Sequence, residues 1–210
     1  MSGDAPLFTI VLAAGKGRRM RNRYMHKVCF EIAGVPTIVR ALDTFNRHAD
    51  KVVMGNVAQL INNLHSLFLA HEDRFIATPN FHVFEMYSAH HNGKALRTVI
   101  ESPPIALGSA RQPSALWGLG GSASLHDKQL VLTVVNPSIT EARETEIVVR
   151  GARIESARAS VLAEDDIHAH NSFDHPNAVT PIEAEARVSA GKLVYSFPPA
   201  SVVRLTCDLA

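Results

Sequence analysis

Lys128-Gln129-Leu130-Val131-Leu132-Thr133-Val134-Val135-Asn136 decides the fold. Leu130, Leu132 and Val134 recur at every second position, which is the period of a strand and not of a helix. A turn at His126-Asp127 precedes this run, and Gly118 to Leu125 stands on the turn's other side as a second strand. Two such runs joined by a short polar turn describe an antiparallel hairpin.

The same texture continues to the C-terminus. Further strand segments are Ala95 to Glu101, Thr145 to Arg150, Arg153 to Leu162, Ile182 to Ser189, Lys192 to Phe197 and Ser201 to Asp208. In the last, Val202, Arg204 and Thr206 oppose Val203, Leu205 and Cys207, the alternation of a half-buried antiparallel strand. A Pro/Gly-rich loop follows Glu101, and the apolar positions of Phe81 to Tyr87 suit a short helix packed on the strands. At least seven short strands in about 130 residues argue for a β-sandwich.

N-terminal to Thr78-Pro79 the texture changes. Leu7 to Ala14 is a continuous apolar run that stops at Gly15-Lys16-Gly17, as a buried strand entering a glycine turn does. Arg18 to Lys27 is strongly basic, and Phe30 to Ala33 is a short strand closed by Gly34-Val35-Pro36. From Thr37, Ile38, Leu42 and Phe45 recur at helical spacing. Lys51 to Met54 is another short apolar run, and Val57, Leu60, Ile61, Leu64, Leu67 and Phe68 mark one face of a helix with Asn56 as its N-cap. The fold class expected is mixed: an N-terminal α/β fragment followed by an all-β antiparallel β-sandwich.

Composition narrows the function. Of 210 residues, 46% are hydrophobic and 20% charged, a globular balance, and the formal net charge of +1 gives no bulk attraction to nucleic acid or anionic lipid. Trp117 and the other aromatics are sparse and not interleaved with basic residues, so no nucleic-acid surface is expected. Cys29 and Cys207 allow one disulfide but read better as isolated buried thiols of a reducing compartment. Met1 to Pro6 has no basic n-region, and Phe8 to Ala14 is too short to span a membrane, so a soluble cytoplasmic protein is expected. His168, His170, Asp174 and His175 have metal-ligand spacing, but no cysteine joins them. Glu164-Asp165-Asp166 lacks the spaced ligands and glycine of a Ca²⁺ loop, and His82, Glu85, His90 and His91 form no nucleophile–base set.

Val11-Leu12-Ala13-Ala14-Gly15-Lys16-Gly17-Arg18-Arg19-Met20 resembles the signature loop of sugar-nucleotide nucleotidyltransferases. In such a loop, glycines let backbone N–H groups approach phosphates while nearby cations neutralise them. The resemblance covers about Phe8 to Phe45 and implies a nucleotide site of Gly15, Gly17, Arg19 and Lys27 working with Mg²⁺. Arg18 departs from the family's Ser or Thr, His26 from its Pro, and no Gly-Asp-type metal motif follows residue 45.

A larger resemblance begins near Phe45. Phe45 to Met54, Asn56 to Asn62, Thr78 to Tyr87, Leu132 to Pro137, Asp166 to Asn171 and Phe197 to Ser201 resemble, in order, the C-terminal part of glycoside hydrolase family 51 α-L-arabinofuranosidases. That family pairs a (β/α)₈ barrel with a C-terminal β-sandwich. The resemblance implies three parts: residues 1–45 as a nucleotidyltransferase-like fragment, 46–75 as the last strand and helix of a barrel, and 76–210 as the sandwich. It implies no cofactor, arabinose-containing oligosaccharides as the whole family's substrates, and homo-oligomeric contacts. Gln59 matches a glutamine that touches bound arabinose. Retaining glycosidases need a pair of carboxyl groups, and the family carries its two glutamates on earlier barrel strands, so these residues are expected to be catalytically incomplete. Two other readings stand beside this one: a nucleotide-binding fragment, and a non-catalytic carbohydrate-binding sandwich, which requires exposed aromatics. Without a barrel, the apolar faces of Val52, Val53 and Val57 to Phe68 are expected to be exposed, and a protease-resistant core to begin near residue 75.

Overall fold

The computed structural model describes residues 31–32, 35–52, 54–55, 60–62, 66–109 and 112–210. In chain order the elements are β1 (Glu31–Ile32), β2 (Val35–Pro36), α1 (Thr37–Arg47), β3 (Phe68–His71), β4 (Arg74–Ala77), α2 (Pro79–Ser88), β5 (Lys94–Leu96), β6 (Ile105–Ser109), β7 (Gln112–Leu116), β8 (Gly120–His126), β9 (Gln129–Asn136), β10 (Arg143–Ile147), β11 (Ile154–Leu162), β12 (Ile182–Glu185), β13 (Arg187–Ser189), β14 (Lys192–Phe197) and β15 (Ser201–Leu209). Six strands form one antiparallel sheet in the order β12-β11-β15-β9-β8-β5, and three form a second in the order β10-β14-β13. The expected sandwich is present.

Strand parity builds the core between these sheets. β14 alternates fully, with Leu193, Tyr195 and Phe197 buried and Lys192, Val194 and Ser196 outward. Against them pack Leu130, Leu132 and Val134 of β9 and Val203, Leu205, Cys207 and Leu209 of β15. β11 needs a correction of parity to take part, and an irregularity between Ile154 and Ser156 supplies it. The extra residue lets Ile154 share the core face with Ala159 and Val161. Asn136 fixes the corner where β9 leaves the sheet. Its side-chain amide donates to the carbonyls of Glu141 (2.8 Å), Phe197 (3.0 Å) and Pro198 (2.9 Å), and its Oδ1 accepts from the Ser138 N–H (3.1 Å).

Two strands are more buried than alternation alone suggests. β9 is buried at every position after Gln129, and β15 is buried on both faces over Ser201 to Val203. The second cover is helical. Ile38 and Val39 of α1 and Val83, Met86 and Tyr87 of α2 pack on Val135, Leu162 and Val202, together with Val179. α2 is the helix expected at Phe81 to Tyr87, started by Pro79 at its first turn.

Five expectations change: the strand expected from Ala95 to Glu101 ends at Leu96 as β5, and the loop expected after Glu101 carries the β6–β7 hairpin. The helical spacing from Val57 to Phe68 does not give a helix in the described part: residues 60–62 are non-helical, Ile61 makes an isolated bridge to Phe68, and Phe68 opens the β3–β4 hairpin. Lys51, Val52 and Met54 are turn and irregular chain in place of a strand. The segment Ile182 to Ser189 is two strands in different sheets, β12 pairing with β11 and β13 with β14. Cys207 is a buried free thiol, its pKa pushed up to about 11 by burial and then by Asp208. The expected apolar exposure is present at Leu60 and Ile61, while Val52, Leu67 and Phe68 are half-buried.

α1 spans the expected boundary at residues 45–46 and is packed on the sheet, with Val39 wholly buried. Limited trypsin digestion is therefore expected to leave a core that begins at or before Thr37, and not near residue 75. Mass spectrometry of the stable fragment checks this; a core starting near residue 75 would mean that α1 detaches from the sheet.

Candidate functional site

The strongest concentration of buried chemistry lies where α1 crosses β8 and β9. Val39, Asp43 and Arg47 are spaced at i, i+4 and i+8, so they share one stripe of the helix, and that stripe faces the sheet. Asp43 is only 8% exposed. Its Oδ1 accepts two hydrogen bonds, from the Tyr87 hydroxyl of α2 at 2.8 Å and from the Ser122 hydroxyl of β8 at 2.9 Å. Asn46 donates to the same Ser122 at 3.1 Å, and the Arg47 guanidinium donates through Nε and Nη2 to the Gly121 carbonyl at 2.9 and 2.7 Å. One carboxylate thus joins two helices and the sheet.

Burial raises the Asp43 pKa from 3.8 to about 6, against the hydrogen bonds from Tyr87 and Ser122 and the charges of Arg47 and Arg40, which pull it down. Tyr87 is pushed well above its usual value, first by burial and then by the Asp43 charge. The cleft here, lined by Arg40, Asp43, Thr44, Arg47, Trp117, Gly120, Gly121, Val135 and Pro137, has a volume of about 40 Å³. That holds a few waters and excludes a sugar ring. At its mouth Trp117 is 65% exposed, with the Arg40 guanidinium 5.4 Å from its ring centroid. Among the described residues no second carboxylate lines the cleft, so they do not assemble the paired acid and nucleophile of a glycosidase there. The cluster is a clamp.

His90 forms a second buried polar contact on the same sheet face. Its Nδ1 lies 2.8 Å from the Ser124 hydroxyl and its Nε2 2.8 Å from the Thr133 hydroxyl. Burial, then His126, Arg204 and His91, lower its pKa to about 4. A neutral ring donating from one nitrogen and accepting at the other satisfies both hydroxyls. Ser124 is itself buried, so the pair is structural and not an accessible nucleophile.

The other candidate residues in the described part, His82, Glu85, His168 and His170, do not join these clusters. Gln59, Gly15, Gly17, Arg19 and Lys27 lie outside the described residues, as do Cys29 and Val53. His82 pairs with Glu85 at 3.2 Å on α2, separate from His90. His168 and His170 sit in an exposed loop, where His170 Nδ1 bonds the His168 carbonyl at 3.1 Å. Among the described residues no group of three or more His, Cys, Asp or Glu is placed to hold a metal ion. No helix among them is long and apolar enough to cross a membrane. The Asp43 clamp was missed in the sequence, although an acid four residues from Val39 on a helix's buried stripe is a readable signal.

The wider frame around these clusters matches a known family. The model for the α-L-arabinofuranosidase C-terminal domain matches residues 40–201, from α1 into β15. The chain belongs to this family. The α-L-arabinofuranosidase C-terminal frame accounts for the sandwich and both covering helices. An intracellular exo-α-L-arabinofuranosidase of Bacteroides ovatus is 27% identical over 167 residues, which are 79% of this chain and 32% of that protein. The structure of the GH51 arabinofuranosidase from Xanthomonas axonopodis pv. citri superposes with a TM-score of 0.74 at 26% identity, covering 79% of this chain and 33% of that one. The α-L-arabinofuranosidase of Thermotoga maritima, solved as an arabinose complex, gives 0.70 at 25% identity, covering 81% and 37%. The chain spans about a third of the length of the curated relatives it matches.

Because the Asp43 pKa is raised in the folded state, the native protein holds its proton more tightly than the unfolded chain between pH 3.8 and about 6. This group's favourable contribution is complete below pH 3.8 and is lost as pH rises through 6. His90, with a lowered pKa, acts in the opposite sense, its contribution being complete above pH 6.5 and lost as pH falls through about 4. Asp43→Asn keeps Oδ1 as acceptor for Tyr87 and Ser122 and removes the buried charge. Its stability relative to wild type is expected to rise between pH 4 and 7 by up to about 3 kcal/mol. Urea unfolding at several pH values checks this, and a pH-independent difference would contradict it.

Proposed function

We propose that this chain supplies the C-terminal β-sandwich of an α-L-arabinofuranosidase and does not itself carry the hydrolytic site. The match to that domain over residues 40–201 carries the reading. The buried carboxylate chemistry agrees with it, since Asp43 is consumed in holding α1, α2 and β8 together. In a whole enzyme of this kind the reaction would be removal of terminal α-L-arabinofuranosyl groups from arabinose-containing oligosaccharides, inside the cell and without a cofactor. The two catalytic glutamates would belong to a barrel. Residues 46–75 would correspond to the barrel's end, with Gln59 at the sugar, and residues 76–210 to the sandwich, on which α1 docks. Homo-oligomeric contacts through exposed apolar residues such as Leu60 and Ile61 fit this reading.

The purified chain is expected to show no hydrolysis of p-nitrophenyl α-L-arabinofuranoside above background, next to an active whole family 51 enzyme. Turnover that survives repurification would overturn the proposal.

The glycine loop supports a second reading for residues 1–45, in which Gly15, Gly17, Arg19 and Lys27 hold a nucleotide with Mg²⁺. A titration with nucleoside triphosphate and Mg²⁺ is expected to saturate on this reading, and Lys27→Ala to weaken it at least tenfold. Absence of saturable binding rejects it without affecting the sandwich.

A further inference from the structure

His90 belongs to a line of hydrogen-bonding side chains that runs out to water. Ser122, Ser124 and His126 alternate along β8 and share its outer face, beside Thr133 of β9. His90, in the turn after α2, lies across them, with Nε2 2.8 Å from the Thr133 hydroxyl and Nδ1 2.8 Å from the Ser124 hydroxyl. Ser124 Oγ is in turn 3.4 Å from His126 Nε2. Thr133, Ser124 and His90 are buried, whereas His126 is half-buried and forms the outer end of the line. Gly93 makes this last link possible, because a Cβ there would collide with His126 Nε2 and drive the ring off.

The supply of donors and acceptors sets the direction of the line. A hydroxyl has one hydrogen to give, and a neutral imidazole gives from one nitrogen and accepts at the other. When Thr133 donates to His90 Nε2, His90 Nδ1–H donates to Ser124 and the Ser124 hydroxyl donates to an unprotonated His126 Nε2. Every buried hydrogen then has an acceptor. The reverse direction starts from a protonated His126 Nε2 and ends with His90 Nε2–H donating to Thr133. Among the described residues the Thr133 hydroxyl has no partner but His90, so its hydrogen is then orphaned in a buried place. Burial first, then His126 of β8, Arg204 of β15 and the adjacent His91, hold the His90 pKa to about 4, so this ring stays neutral in mild acid. Asp43 of α1 is turned to the Tyr87 and Ser122 hydroxyls. Beside His126 stand Asp127 and Lys128 of its own turn. Gln129, paired with it on β9, leads on to Asp208 of β15, and Lys94 of β5 pairs with Leu125 on the other face.

We propose that His126 is a proton-operated latch on the end of α2, acting through Ser124 on the tautomer of His90. With His126 neutral, His90 carries its proton on Nδ1 and the line is complete. When His126 takes a proton from water at Nε2, the line reverses. His90 gives its Nδ1 proton to water and takes one from water at Nε2, so it remains neutral, and the net uptake is the one proton on His126. The Thr133 hydroxyl loses its acceptor, and that cost falls on the contact between the end of α2 and the sheet. The latch is independent of the arabinofuranosidase reading.

NMR of the histidine ring nitrogens in the full chain, followed from about pH 8 to about pH 5, tests it. At the upper end His90 is expected to show a protonated Nδ1 and a bare Nε2. Through the titration of His126, read from that ring's own nitrogens, the two His90 nitrogens are expected to exchange character with the same midpoint and no gain of charge. The His90 and His91 amides, which bond the Tyr87 and Ser88 carbonyls at the end of α2, are expected to exchange with solvent severalfold faster over the same interval, after correction for the intrinsic pH dependence. His126→Gln takes up no proton, and Gly93→Ala keeps every hydrogen-bonding group but displaces the His126 ring. Each is expected to abolish the exchange of tautomer. A His90 tautomer unchanged through the His126 titration, a His90 ring that becomes charged with it, the same tautomer change in both variants, or unaltered amide exchange would overturn the proposal.

Discussion

β9, and β15 over Ser201 to Val203, are buried on both faces, and the rest of the architecture answers that requirement. Paired from Asn136–Ser201 to Gln129–Asp208, these strands sit in the middle of the six-stranded sheet. Their core face is closed by β14, whose Leu193, Tyr195 and Phe197 are the inward half of a strict alternation. Their other face carries Val135 and Val202, which water would otherwise reach, and α1 and α2 close it. Burying such side chains is worth about 1.5–3 kcal/mol each, enough to make the helices part of the domain.

Closing the second face forces polar groups into it. Thr133, Ser122 and Ser124 occupy the outward positions of β9 and β8 and are buried once the helices arrive. Each then needs a partner. Ser122 takes Asp43 and Asn46, while Ser124 and Thr133 take the two ring nitrogens of His90. Asp43 and His90 are therefore consequences of where the helices lie. Their opposite pKa shifts also limit how far stability can drift with pH in mild acid.

The elements legible in the sequence are those whose period and burial agree. β8, β9, β11, β14 and β15 lie within about two residues of their expected bounds, and α1 begins at Thr37 as its spacing indicates. Illegible elements had two compatible periods. Leu67 and Phe68 fit a helical face as well as a strand, and the β3–β4 turn at Glu72-Asp73 has no glycine to announce it, though Glu72 adopts a φ of 53°. Ile182 to Ser189 alternates like one strand, and only the tertiary pairing splits it between sheets. The clamp was harder still: Asp43 and Tyr87 are 44 residues apart, and nothing local says that a helix carboxylate will meet a tyrosine hydroxyl.

Buried charge has two different meanings on this one sheet face. Asp43 has both donors to Oδ1 in place and a cleft too small for a ligand, so its surroundings are complete without any further molecule. Arg204 is handled differently: its Nε makes no hydrogen bond among the described residues, but Glu183 lines the same groove, and Arg158 on the neighbouring strand is paired with Glu185, so carboxylates offset both guanidiniums. A half-buried guanidinium beside carboxylates keeps part of its solvation, so its charge is tolerated without the full set of hydrogen bonds that the buried Asp43 requires.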